Sequence, residues 1–171
     1  RYNGVAASTI YVSGNSWIGF GVNTEQLKIV RRDTDLMTLR REEGTLWGTY
    51  RFLRIRWEGF SVHGNRIDAT KMNWDCILFD TGDICISFDV IPTNSSYLAD
   101  STLVTGAGTL SFKPLSGKVI SFKAQDETGI SFLYQDHALA FLDPYNRRYL
   151  VSDANGSIYT VEEGALLKLA E

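Results

Sequence analysis

Arg54, Arg56 and Glu58 recur at every second position of Tyr50-Arg51-Phe52-Leu53-Arg54-Ile55-Arg56-Trp57-Glu58. That is the spacing that sends side chains to one face of a β-strand. Guanidinium forks and a carboxylate on one face can donate to and accept from the hydroxyls of a sugar. The apolar side of a sugar ring needs an aromatic plane. Trp47 is the candidate, because glycines and polar residues flank it in Glu43-Gly44-Thr45-Leu46-Trp47-Gly48-Thr49-Tyr50, where burial is less obligatory. Tyr50 lies beside it, and His63 and Asn65 follow in the next turn. Trp47, Tyr50, Arg54, Arg56, Glu58, His63 and Asn65 therefore form the candidate ligand set. The plain alternative is a solvated sheet face whose arginines pair with Glu58 and its neighbours, each pair contributing little.

Catalytic patterns are weak. Two carboxylates about 5–10 Å apart are needed to hydrolyse a glycosidic bond. Asp75 with Asp80, Asp80 with Asp83, or Asp126 with Glu127 could be nominated, yet Asp80 and Asp83 stand where a hairpin turn favours Asp anyway. Gly14-Asn15-Ser16-Trp17-Ile18-Gly19 misses the nucleophile elbow by one residue. Gly19-Phe20-Gly21 and Gly106-Ala107-Gly108 lack the third glycine and the helix of a phosphate loop. His63 and His137 fall in or beside expected turns and share no metal spacing with a third ligand. No cofactor is expected. Calcium stays open through the oxygen-rich turns Asp80–Asp83 and Asp153-Ala154-Asn155-Gly156, although the EF-hand order is not met.

The elements that would position these residues are strands. Runs of five to eight β-branched and aromatic residues are expected at 8–12, 16–22, 26–30 and 50–57, with a hairpin of 74–80 and 84–91. Leu53, Ile55 and Trp57 alternate with the polar face and point to a core, whereas Cys76-Ile77-Leu78-Phe79 is apolar on both faces and suits a central strand. Trp57 and Trp17 are expected in the core; Trp74 fits either place. With Thr81-Gly82 as a two-residue loop, Asp80 faces Asp83 and Cys76 faces Ser87, which leaves Cys85 diagonal to Cys76 on the same face. Direct opposition is what a cross-strand disulfide needs, so both cysteines are read as reduced and packed.

From Ile91 to Leu110 the character changes, and Pro92-Thr93-Asn94-Ser95-Ser96 and Thr105-Gly106-Ala107-Gly108 read as loop. A meander is expected after Lys113-Pro114, with strands at 119–124, 130–134, 138–142, 148–152 and 157–161 and a turn at Asp136-His137. Residues 162–171 look helical. The reading is all-β: an antiparallel, jelly-roll-like β-sandwich over residues 1–112, then a meander over 113–171 that is a subdomain or part of the same sandwich.

The 171 residues suffice for a core without staples. Residues 1–71 hold 11 Lys and Arg against 7 Asp and Glu, and residues 72–171 hold 6 against 13, giving balances of +4 and −7 and a net −3. The basic residues interleave with acids, as in Arg40-Arg41-Glu42-Glu43, which argues against nucleic acid. No apolar stretch approaches the ~18 residues of a membrane helix. Without an initiating Met, the chain reads as processed or as a segment of something longer.

Three stretches bear a resemblance: Gly4-Val5-Ala6-Ala7-Ser8-Thr9-Ile10-Tyr11-Val12, Phe52 to Ser61, and the hairpin Trp74-Asp75-Cys76-Ile77-Leu78-Phe79-Asp80-Thr81-Gly82-Asp83-Ile84. Over roughly the first 90 residues the chain resembles β-sandwich modules of Gram-positive surface or secreted proteins and of phage or prophage tail proteins. The resemblance implies an extracellular, cell-surface or virion setting and a recognition or assembly role, and it brings no site residue. The expectation is a non-catalytic module that binds a glycan or cell-surface component. A structural tail or baseplate protein that associates with itself is the first rival, and a sandwich-fold glycosidase the second.

Overall fold

The computed structural model describes residues 2, 5–46, 50–64, 72–91, 101–106, 108–114, 116–117, 119–124, 132–143, 148–153, 158–162 and 165–170. All regular structure among them is antiparallel β.

Among the described residues fourteen strands make two sheets. The smaller holds β1 (Ile10–Ser13), β2 (Trp17–Phe20), β3 (Leu27–Lys28), β8 (Thr102–Thr105) and β9 (Gly108–Ser111), in the order β1-β2-β3-β8-β9. The larger holds β4 (Thr34–Leu46), β5 (Tyr50–Val62), β6 (Met72–Phe79), β7 (Ile84–Val90), β10 (Val119–Ala124), β11 (Phe132–Asp143), β12 (Arg148–Asp153), β13 (Ile158–Glu162) and β14 (Ala165–Ala170), as one meander that runs from β14 to β4 with β10 beside β7. Between β9 and β10 the chain passes from the small sheet back to the large one, which holds strands from both sides of residue 112.

The period-two pattern decides which face is covered. Ile55 and Trp57 of β5, Trp74, Cys76 and Leu78 of β6, Ile84, Ile86 and Phe88 of β7, and Ile120 and Phe122 of β10 share one buried cluster. Ile18, Phe20, Leu27 and Leu103 of the small sheet join it. Trp57 and Trp74 are cross-strand partners with ring centroids 6.2 Å apart, and Phe60 tilts onto Trp74 at 4.9 Å. Burying each large aromatic side chain stabilises the fold by about 3 kcal/mol. Ile77, Phe79 and Cys85 are buried on the reverse face, so the expected two-sided burial of β6 holds.

Several expectations change. The β6–β7 loop is three residues, Asp80–Gly82: Phe79 N donates to Asp83 O and Gly82 N to Phe79 O, both at 3.0 Å, with Gly82 at φ 99°. A left-handed glycine closing a three-residue loop is the common alternative to the two-residue turn. The register moves by one, so Cys76 pairs with Ile86 and Cys85 with Ile77. A one-residue slip reverses every face. The two cysteines therefore lie on opposite faces, both buried and both free.

Thr105 to Gly108, read as loop, closes the β8–β9 hairpin, whose two flanking strands were not expected, and residues 92–96 lie outside the described residues. Arg40-Arg41-Glu42-Glu43 lies inside β4, a strand that its own polar sequence does not announce. Asp136 and His137 are not a turn. They lie within β11, where the pairing partner changes from β10 to β12 and the register slips between His137 and Leu139. Finally, residues 165–170 form strand β14, not a helix, through pairing with β13.

Candidate functional site

The strand β5 brings Arg54, Arg56 and Glu58 to one face, away from the buried cluster, as the alternation demanded. Its neighbours supply the partners. Glu42 of β4 opposes Arg54, Asp75 of β6 opposes Arg56, and Arg40 of β4 opposes Arg56 from the other side. A ladder of alternating charge results. Arg54 Nη1 donates to Glu42 Oε2 at 3.2 Å, Arg54 Nε to Asp75 Oδ1 at 2.9 Å, Arg56 Nη1 to Asp75 Oδ2 at 2.6 Å, and Arg56 Nη2 to Asp89 Oδ2 at 2.8 Å. The order Glu42–Arg54–Asp75–Arg56–Asp89 crosses β4, β5, β6 and β7.

Asp75 anchors it. Its side chain is 7% exposed while those of Arg54 and Arg56 are 40% and 24% exposed. Both carboxylate oxygens accept from guanidinium, so the burial of that charge is compensated. The hydrogen bond to Asp75 raises the Arg54 pKa. Burial works against the Arg56 charge, but the hydrogen bond to Asp89 and the charges of Asp75 and Asp89 outweigh it, and the pKa rises. Arg40 faces the like charge of Arg56 and turns instead to Glu58, Nε to Oε2 at 2.7 Å. That bond holds the Glu58 carboxyl below its ordinary range.

His63 is set apart. It follows the far end of β5 from Tyr50, a 13-residue strand spanning roughly 40 Å. There its Nδ1 lies 2.5 Å from Asp35 Oδ1, and Gly64 N donates to Asp35 Oδ2 at 2.6 Å. Tyr50 begins β5 by pairing with Leu46. Trp47 and Asn65 lie outside the described residues, as do Asp126 and Glu127 and most of the turn after Asp153. Of the candidate set, the structure thus joins Arg54, Arg56 and Glu58 and separates His63 from them. Trp57 and Trp74 are fully buried, and Trp17 is half-buried.

The nominated carboxylates sit in different surroundings. Asp75 and Asp80 are five residues apart along β6 and its turn, roughly 17 Å, and Asp75 is clamped between two arginines. Asp83 is buried in the hairpin, its Oδ2 accepting from the Thr81 hydroxyl at 3.0 Å. Among the described residues no three His, Cys, Asp or Glu side chains group to hold a metal ion.

Glu42, Asp75 and Asp89 complete the ladder and were not in the candidate set. They sit on three other strands, so nothing in the local spacing ties them to Arg54 and Arg56. A second feature was equally hidden. A cleft of about 650 Å³ runs between β1 and the β4–β5 arm, floored by Leu39, Leu53, Ile55 and Leu78 and walled by Ile10 and Val12. Its formation depends on two sheets meeting.

Comparison with protein-family models, with curated proteins and with solved structures finds no match to this chain.

Proposed function

We propose that this chain is a non-catalytic recognition module of β-sandwich, jelly-roll-like type, displayed outside the cytoplasm on a cell or virion surface, that binds a glycan across the Glu42–Arg54–Asp75–Arg56–Asp89 ladder. The observation that carries this is the locked alternation of donors and acceptors. The Asp75 carboxylate fixes both guanidinium planes, while Glu42 and Asp89 remain 59% and 42% exposed. A polyhydroxylated ligand offers hydroxyls that donate and accept in turn, so it can bridge such a row without any group being left unsatisfied. Because Asp75 holds the arginines in place before binding, little side-chain entropy is lost on contact. The net charge of the ladder is −1, which favours a neutral or amino sugar over an acidic one.

The test is a glycan array on the folded chain, followed by calorimetry with Arg54→Lys, Arg56→Lys and Glu42→Gln. Lysine keeps the charge but loses the planar fork, so each arginine variant should weaken a true hit at least tenfold with the fold retained by circular dichroism. A blank array from folded protein, or a hit indifferent to all three changes, rules the ladder out as a glycan site.

The rival reading as an assembly protein has one observation in its favour: among the described residues β4, a 13-residue strand, ends the large sheet. Light scattering on the purified chain decides it, since a stable oligomer in the absence of sugar supports assembly. The charged run Arg40 to Glu43 along that edge is the usual protection against such pairing.

A further inference from the structure

The cleft between β1 and the β4–β5 arm combines three features. Its floor is apolar, and Leu39 is 42% exposed there, an uncovered leucine on the face that elsewhere forms the core. Its volume of about 650 Å³ is that of a ligand site rather than a packing defect. The third feature is backbone. Gly21 N donates to Thr9 O at 2.8 Å, and Tyr11 and Ser13 share that phase in the β1–β2 register. Odd-numbered residues of β1 therefore bond to β2, and Ile10 and Val12 direct their N–H and C=O groups to the opposite edge. Among the described residues β1 has no second partner strand.

We infer that this cleft is a docking groove for an extended peptide segment of a partner protein, which adds to the edge of β1 and places alternate apolar side chains on the Leu39–Leu53–Ile55 floor. The choice of a peptide follows from Ile10 and Val12. Backbone groups at an apolar groove call for a ligand that carries its own N–H and C=O at strand spacing, and an acyl chain has none. The charge of the ligand follows from the rim. Arg40 and Arg41 are taken by Glu58 and Glu43, whereas Arg51, also at the cleft, is exposed and pairs with no carboxylate among the described residues. An acidic residue at one end of the segment meets that guanidinium. At the other end of β1, Trp57 Nε1 donates to Ser13 O at 3.0 Å and ties that strand to β5. The groove and the ladder lie on opposite faces of the large sheet, so neither proposal depends on the other.

The experiment titrates the isotope-labelled chain with the blocked hexapeptide acetyl-Val-Thr-Val-Thr-Val-Asp-amide and follows amide shifts by NMR. Shifts should concentrate at Ile10, Val12, Leu39 and Leu53. Two N-methylated versions, one at the valine nitrogens and one at the threonine nitrogens, should differ at least tenfold in affinity, because an edge-paired strand turns only alternate N–H groups to β1. Arg51→Ala should weaken the peptide about threefold and leave an Asn-terminated version unchanged. The inference is overturned if the peptide produces no shifts at millimolar concentration. It is equally overturned if both methylated peptides bind alike, or if dodecanoate shifts the cleft residues while the peptide does not, which would make the groove an acyl site. Since the methyl groups are on the ligand, no outcome is confused with misfolding.

Discussion

Arg56 and Asp75 stand directly opposite each other on β5 and β6, with Nη1 to Oδ2 at 2.6 Å, and the carboxylate is the buried member of the pair. Opposed charges on a sheet usually contribute less than 1 kcal/mol. Here one acid serves two arginines, so its removal leaves both without their inner partner. Asp75→Asn should cost about 2 kcal/mol, less than the 3–5 kcal/mol of a wholly buried pair because water still reaches both guanidiniums. Urea denaturation measures it: the midpoint should fall with an unchanged slope. An unchanged midpoint would mean that the ladder carries no stability.

The two core tryptophans should respond unequally to the same change. Trp57 Nε1 donates to Ser13 O, tying the large sheet to the β1–β2 turn, whereas the buried Trp74 Nε1 has no hydrogen-bond partner among the described residues. Trp57→Phe loses ring volume and a hydrogen bond. Trp74→Phe loses ring volume but also removes an unsatisfied donor, whose burial costs about 1–3 kcal/mol. Trp57→Phe should therefore be the more destabilising by about 1–2 kcal/mol in calorimetric or urea unfolding. Equal losses would show that the Ser13 bond contributes nothing.

Burial, with the nearby Cys85 and Asp75 adding to it, pushes the Cys76 thiol well above its ordinary value. The folded chain keeps this proton where the unfolded chain releases it, above about pH 8.5. The contribution is fully present below that pH and is lost as pH rises past it. Wild type should accordingly lose more stability between pH 8 and 10 than Cys76→Val. The native thiols should also resist alkylation, and a reductant should leave the melting temperature unchanged. Rapid loss of both thiols in folded protein would contradict the packing.

Gly19 lies where β2 approaches the following loop. A Cβ there would sit 2.6 Å from the Thr24 carbonyl oxygen and closer still to that of Val22. Both obstacles are backbone and cannot swing aside, so Gly19→Ala should cost more than about 3 kcal/mol, the range reserved for few mechanisms. Gly21 is a contrast: it has open space around it but a φ of 76°, so Gly21→Ala should cost only the left-handed penalty of about 1–2 kcal/mol. Thermal unfolding of the two variants should rank them in that order.

How much of this was legible beforehand depends on the range of the interaction. The alternation in β5 was local, and it put Ile55 and Trp57 inside and Arg54, Arg56 and Glu58 outside. The double-sided burial of β6 was equally plain in Cys76-Ile77-Leu78-Phe79. The charged run in β4 carried no strand signal and the apolar tail in β14 was misread as helix, because each is a strand only through its neighbour and isolated propensity is a weak guide at a sheet edge. The β6–β7 register was missed by one residue because a two-residue and a three-residue loop share the same Asp and Gly signals.

By itself, the sequence determined that this is a β-protein and which residues of its clearest strands face inward, because side-chain alternation is a property of the strand alone. Only the tertiary structure decided that Arg54 and Arg56 belong with Asp75, Glu42 and Asp89, that Cys76 and Cys85 face apart, and that an apolar cleft lies between Val12 and Leu53. These depend on which strands lie side by side, in what register, and where two sheets meet. Such contacts join residues tens of positions apart, and no local spacing encodes them.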